Sequence, residues 1–445
     1  MNQIHRPILS MVAGVAMLGG CAEQRAGMVS RFLSDDSART AYSAAPAALA
    51  AGRPADSGFG AGSDIIARLQ ARRSVLTPAS PYDQVAEAVL AADARVAESE
   101  LRAAQLRAEA ASRNWLPTIG PRISLTSLGE LVADLVINQV LFDNGRKQAE
   151  RDLAQAEVEL AAVALAEDGN TRVNAALTLY LRMEEGRETA ALLDHSLGDM
   201  AQFEWVMDQR VRGGVSDMSD LNVVRQKLAD IRARSMAARE QVTTAQAELA
   251  AMATRPLGDL HGQTGLGAAP GGLEATAVLR ARAEMARALA QAQIERAAHL
   301  PGLSAGGSTG GSGQNLGLQV QTDQLFGLGT VASLNALKVT AETAARRVVQ
   351  AREESDRKLQ SQQRQLEALR RQGAEAQTLR AQARANLDLF QRQYDGGQRQ
   401  VMDVVGVYET YARAADRALE LRFAAARAEL EIARIRGVLA DGTLM

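Results

Sequence analysis

Leu116-Pro117-Thr118-Ile119 recurs as Leu300-Pro301-Gly302-Leu303, and Leu141-Phe142-Asp143-Asn144-Gly145 recurs as Leu325-Phe326-Gly327-Leu328-Gly329. Both pairs are separated by 184 positions (300 against 116, 325 against 141). A third landmark follows at an offset of 183 (393 against 210). Arg210-Val211-Arg212-Gly213-Gly214, with Asp220-Leu221 beyond it, is matched by Gln393-Tyr394-Asp395-Gly396-Gly397, with Asp403-Val404 beyond it. Three landmarks in one order at nearly one offset define two tandem copies of a half-molecule, each too long for a solenoid repeat.

Working outward, each half reads as a helix, two short strands, one very long helix, a Gly-Gly turn and another helix. The first helix is predicted from about Tyr82 to Trp115, ended by Pro117. Helical character resumes after Gly145 and meets no proline before Gly213, roughly 66 residues or ~100 Å at 1.5 Å per residue. The second copy behaves alike from Val331 to Tyr394. Helices so much longer than the ~10–14 residues usual in globular proteins require a special architecture. On the first long helix, Ala149, Leu153, Ala156, Leu160 and Val163 form one stripe, and Ala154, Val158, Ala161 and Leu165 form another, roughly 150° away. Two nearly opposite stripes describe a stave touching neighbours on both sides. The second long helix carries one clean stripe, Leu337, Ala341, Ala344, Val348 and Ala351. An extended coiled-coil bundle is the plainer alternative.

The strands alternate. Ile119, Pro121, Ile123 and Leu125 interleave with Thr118, Gly120, Arg122, Ser124 and Thr126. Leu131, Ala133, Leu135, Ile137 and Leu141 share a face opposite Asp134 and Asn138. Leu316, Leu318 and Val320 interleave with Gly317, Gln319 and Gln321, and Leu303, Ala305, Gly307 and Thr309 mark a weaker strand. Runs of about 9–11 residues suit a tilted membrane strand, although a half-buried soluble hairpin alternates in the same way. Four strands cannot close a barrel, and lipid tolerates no open sheet edge. If these strands span, chains must associate, and three chains supply twelve strands.

Composition agrees. The chain has 445 residues and a formal charge of −2, so nothing points to nucleic acid. It is 47% hydrophobic but only 3% aromatic, an Ala-rich balance that fits close helix seams better than an enzyme core. His5, His195, His261 and His299 show no ligand spacing, and no nucleophile elbow, Walker loop or metal triad is present. No metal, no cofactor and no catalysis are expected; Gly58-Phe59-Gly60-Ala61-Gly62 reads as linker. A lone cysteine, Cys21, excludes an internal disulfide. It closes a short apolar leader, Ile8 to Leu18 behind Arg6, in the sequence Leu18-Gly19-Gly20-Cys21, which resembles a bacterial lipobox. Cys21 is therefore the expected site of lipid attachment, with Ala22 favouring the outer membrane by resemblance to known sorting rules. The predicted organisation is a signal peptide at 1–20, a lipid-anchored flexible segment at 21–80, which reads as a tether or as chain draped over the folded body, and a first repeat at 81–255, with its hairpin near 117–142 and tip near 211–216. A linker at 256–272 precedes the second repeat at 273–440, with its hairpin near 302–325 and tip near 394–399; 441–445 form a tail.

Taken together, the Leu-Pro strand entries, the Leu-Phe-x-x-Gly exits and the paired tips resemble the TolC-like outer-membrane efflux proteins over about residues 80–440. Arg210, Val211, Gly214, Asp220 and Leu221 match that family's tip pattern, as do Tyr394, Gly397, Asp403 and Val404, while Gln393 replaces an expected Arg. The resemblance implies a mainly α fold: a trimeric α-helical barrel continuing into a twelve-stranded transmembrane β-barrel, four strands from each chain. It implies an exit duct for small molecules or secreted polypeptide, docking through its tips to a periplasmic adaptor paired with an inner-membrane pump. Gly213, Gly214, Gly396 and Gly397 are expected to take positive φ and reverse the chain there. Asp217, Asp220, Asp395 and Asp403 lie at the same ends, either as threefold carboxylate sets at the periplasmic mouth or as helix caps, a role also open to Ser216. The alternative function is a lipid-anchored periplasmic scaffold or pump adaptor that does not span the membrane.

Overall fold

The computed structural model describes residues 63–92, 96–125, 131–310, 313–322 and 327–444. The leader, the lipobox with Cys21, the 58–62 glycines, Thr126 and the Leu325-Phe326 pair lie outside the described residues. In chain order the elements are α1 (Asp64–Gln70), α2 (Pro81–Leu90), α3 (Val96–Ser112), β1 (Thr118–Leu125), β2 (Leu131–Phe142), α4 (Arg146–Arg212), α5 (Met218–Met252), α6 (Thr276–Ala298), β3 (Gly302–Gly310), β4 (Gly313–Gln321), α7 (Thr330–Asp395) and α8 (Val401–Arg436), before a short 3-10 turn (Gly442–Leu444).

The repeat is visible in the backbone. α3-β1-β2-α4-α5 is matched by α6-β3-β4-α7-α8, and the two long helices have 67 and 66 residues. The Leu-Phe-x-x-Gly exits owe their form to local capping. Asp143 accepts from the backbone N–H groups of Gly145 (3.2 Å) and Lys147 (2.7 Å), while Gly145 takes the left-handed conformation at φ 83°. In the second copy, where Gly327 replaces Asp143, Thr330 Oγ1 accepts from Gly327 N–H at 3.0 Å. The predicted single helix from Tyr82 to Trp115 is instead two: α2 ends at Leu90, and α3 begins at Val96.

The four strands form one antiparallel sheet in the order β1-β2-β3-β4. Register fixes its two faces, because directly opposed residues share a side. Ile119 opposes Ile137, which opposes Gly307, which opposes Leu316; Leu318 and Val320 oppose Ala305 and Leu303. One face is thus largely apolar across all four strands, interrupted by Gln139 opposite Ala305 and by Thr309 opposite Gln314. The other carries Arg122 opposite Asp134, Asn138 opposite Gly306, and Ser304 opposite Gln319. A bulge between Val140 and Phe142 changes one expectation: Leu141 is the extra residue, and Phe142, opposite Leu303, carries on the apolar face.

α4 is the central stave. It packs against α1, α2, α3, α5, α6 and α8, whereas α7 packs chiefly against α6 and α8. Accordingly α4 buries 24 of its residues, from both predicted stripes, and α7 buries five. Three apolar clusters follow one another along the body: Leu101, Val158 and Leu279 towards the sheet; Leu177, Tyr180 and Phe423 in a central belt; Met207, Val404 and Tyr408 near the far end.

The end of the segment read as a flexible tether or a drape over the body, and the linker between the repeats, are both packed. Residues 63–80, placed in the flexible lead-in, contribute α1 and a strap in which Leu69, Arg72, Val75 and Leu76 are buried. Arg72 donates to the carbonyls of Arg436 and Glu274, both at 2.6 Å, and Val75 N–H reaches Val438 O at 2.9 Å. The 256–272 segment buries Leu257 and is held on α4 by a polar knot. Glu184, 5% exposed, pairs with Arg187 (2.6 Å) and accepts from Gly262 N–H (2.7 Å). Arg187 also donates to Leu260 O at 2.9 Å, and Tyr180 Oη to Gly262 O at 2.9 Å. Low periodicity hid both segments, since their anchors are single residues with partners far away in sequence.

Candidate functional site

The sequence-predicted site residues lie at the two ends of the described body. At the sheet end, the apolar face is open to its surroundings: Ile119 is 65% exposed, Leu316 88% and Val320 74%. Trp115 and Phe142 are also exposed where the sheet meets the helices, and Gln139 Nε2 ties the two strands' base to Trp115 O at 2.8 Å. Aromatic side chains at that level suit a membrane–water boundary. Both outer strands, β1 and β4, leave an edge with no strand partner among the described residues. No helix among the described residues is long and apolar enough to cross a membrane.

At the other end the two hairpin turns are near copies. Gly214 N–H bonds to Val211 O (3.0 Å) and Val215 N–H to Arg210 O (2.8 Å); Gly397 N–H bonds to Tyr394 O and Gln398 N–H to Gln393 O, both at 2.8 Å. This paired pattern is a Schellman motif, which satisfies the last carbonyls of α4 and α7. Only the second glycine of each pair needs its freedom: Gly214 and Gly397 have φ of 71° and 74°. Gly213 and Gly396, expected to share that role, have φ of −78°.

The remaining tip residues divide by burial. Leu221 and Val404, which follow the motif's Asp, are buried in the cluster that joins the two tips. Val211 and Tyr394 pack on its margin. Asp217, Asp395 and Asp403 are exposed, and Asp220 is partly covered. Asp403 closes a capping box, its Oδ2 accepting from Gln400 N–H at 3.2 Å. Asp217 occupies the cap position of α5 without a side-chain cap bond. At Gln393, where the family pattern has Arg, Arg399 donates to Gln393 Oε1 (3.1 Å) and stacks on Phe390 (4.6 Å), so a guanidinium reaches that tip from a different position.

Sequence reasoning missed what lies just above the tips. Phe203, Tyr408 and Tyr411 stack edge to face, and burial raises the Tyr408 phenol well above its ordinary range. α5 and α8 flank this cluster and are bridged by Lys227–Glu409 and by Arg234–Asp416 (2.7 Å). Each pair spans 182 positions, nearly the repeat offset, so opposite charges one repeat apart were a readable signal. Asp194, bonded by Arg239 and Ser235, is held below the usual carboxylate range. Among the described residues no cluster of His, Cys, Asp and Glu is arranged to hold a metal ion.

No protein-family model matches this chain, and no curated protein does. Solved structures do. A Pseudomonas aeruginosa membrane protein aligns at 16% identity and TM-score 0.71, over 81% of this chain and 91% of that one. The MtrE outer membrane channel of Neisseria gonorrhoeae aligns at 17% identity and TM-score 0.68, over 82% and 90%. The CmeC outer membrane channel of Campylobacter jejuni aligns at 13% identity and TM-score 0.67, over 81% and 86%. The fold is TolC-like. At these identities the likeness establishes the TolC-like architecture of one chain.

Proposed function

We propose that this chain is the outer-membrane exit duct of a tripartite efflux or type I secretion system. The observation that carries the reading is the four-stranded sheet, largely apolar on one face and with no strand on either edge among the described residues, joined to two helices of about 100 Å. Lipid leaves no such edge unsatisfied, so β4 of one copy pairs with β1 of the next. The same head-to-tail step seats the free flank of α7 against a neighbouring subunit. Three copies give a twelve-stranded barrel above an α-helical tunnel, a heterologous interface that closes as a ring. Lipid on Cys21 anchors each chain in the outer membrane. The tips around Gly213, Gly214, Gly396 and Gly397 receive a periplasmic adaptor that links the duct to an inner-membrane pump. Asp217, Asp220, Asp395 and Asp403 then form threefold carboxylate sets at the periplasmic mouth, and cargo crosses with no chemistry on the chain.

Planar bilayers test the reading: purified oligomer is expected to give stepwise ion conductance. A well-folded oligomer that never conducts contradicts it. The non-spanning scaffold is distinguished by alkali extraction of membranes holding a Cys21→Ser variant, which releases a scaffold and leaves a barrel embedded.

A further inference from the structure

On the flank of the helical body, a cavity of about 400 Å³ is walled by α1, residues 272–275, α6, α7 and the end of α8. Three guanidinium groups from three separate elements converge there on one carboxylate. Arg282 (2.8 Å) and Arg352 (2.6 Å) both donate to Oε1 of Glu274, and Arg68 donates to Oε2 at 3.4 Å. Arg436 lines the same cavity and makes no ion pair among the described residues. Beneath it lies Arg72, 3% exposed, bonded only to backbone carbonyls and with its Nε buried and unpartnered. The acids present are Glu274 and Asp356 on the cavity wall and Asp64, which pairs with Arg68. Four arginines therefore line the cavity against two acids, with Arg72 buried behind them and Asp64 paired to Arg68 beside them.

A guanidinium offers five N–H groups in a planar fork. Arg282 and Arg352 each spend one nitrogen on Glu274 and keep the rest of the fork, with side chains 30% and 58% exposed. Converging forks with surplus positive charge match the several oxygens of a phosphate-bearing anion better than they match another single carboxylate. We propose that this cavity binds a soluble, multiply charged phosphoryl compound. A bilayer headgroup is a poor occupant on distance: Arg282 lies 20 residues before β3, about 30 Å along α6 at the helical rise. Bound there, the anion ties α7, the least buried long helix, to α1 and α6.

The test uses the full-length chain purified in detergent, with inorganic pyrophosphate as probe and sodium chloride at matched ionic strength as control. Calorimetry is expected to show one saturable site per chain, and thermal unfolding a saturable rise of roughly 3–5 °C beyond the chloride control. Arg282→Gln and Arg352→Gln are each expected to weaken pyrophosphate at least about tenfold, while Arg282→Lys keeps part of the affinity and serves as the folding control. Glu274→Gln removes the internal competitor and is expected to tighten binding several-fold; a merely structural ion cluster predicts only a lower Tm. Absence of a saturable signal, or unchanged affinity in both glutamine variants at Arg282 and Arg352, overturns the proposal. A short-chain phospholipid monomer that binds more tightly than pyrophosphate overturns the soluble assignment. A chain that conducts but ignores pyrophosphate refutes this inference and leaves the channel reading intact.

Discussion

Gly213 and Gly214 look interchangeable in sequence and are not. A Cβ at Gly214 meets nothing within 4 Å, yet its φ of 71° is one that L side chains reach only with strain. At Gly213 the backbone is ordinary helix, and a Cβ would approach Gln209 O at 3.4 Å, a normal contact. Gly214→Ala is therefore expected to cost about 1–2 kcal/mol and Gly213→Ala to be near neutral or stabilising. The same split is expected at Gly397 and Gly396, and thermal unfolding of the four variants decides it. Equal losses within each pair would refute the assignment. The motif's charge follows a similar logic: Asp403 spends one carboxylate oxygen on its helix start, so capping and any role at the mouth share one side chain.

Among the elements, the hairpins and long helices were readable because each rests on a sustained pattern. Ile119 to Leu125 alternates with period two, and α4 runs from Arg146 to Arg212 without a proline. The strap and the linker were not, because Arg72, Val75 and Leu257 are solitary anchors in stretches without a sustained period. The bulge at Leu141 was equally hidden, since a one-residue register change leaves no mark in composition. The sheet's two faces give a sharp contrast in tolerance. Leu318→Arg places a charge on the apolar face and is expected to cost about 2–4 kcal/mol if it sits near the bilayer midplane. Gln319→Arg, one residue on and facing the polar side, is expected to be tolerated. Yield of SDS-resistant oligomer from outer membranes measures both, and similar losses would argue that neither face meets lipid.

Seen as a whole molecule, the chain is held by buried phenols as well as by alanine seams. Burial, reinforced by Glu429, pushes the Tyr82 hydroxyl up to about 12, and burial beside Glu184 raises Tyr180 further. Tyr82 and Tyr180 stack edge to face at 5.9 Å in the belt. A phenol whose folded pKa exceeds its unfolded value of ~10 gives up stability only as pH rises between the two, because the unfolded chain ionises first. Unfolding free energy is thus expected to be insensitive to these groups below about pH 10 and to fall above it. The tyrosinate absorbance of Tyr82 and Tyr180, taken as the difference from a Tyr82→Phe, Tyr180→Phe variant, should rise together with loss of helical signal; ionisation of these two well before unfolding would contradict this. The closed ring is the claim on which the rest depends, and the lone Cys21 makes it directly testable by cross-linking. In a Cys21→Ser background, Ile119→Cys on β1 is combined in turn with Leu316→Cys, Leu318→Cys or Val320→Cys on β4, positions that share the apolar face. Oxidation in intact membranes is expected to yield a covalent trimer from one of these pairs, β4 of each copy joined to β1 of the next. Monomer alone from all three pairs, in membranes where the protein is folded, would contradict the account.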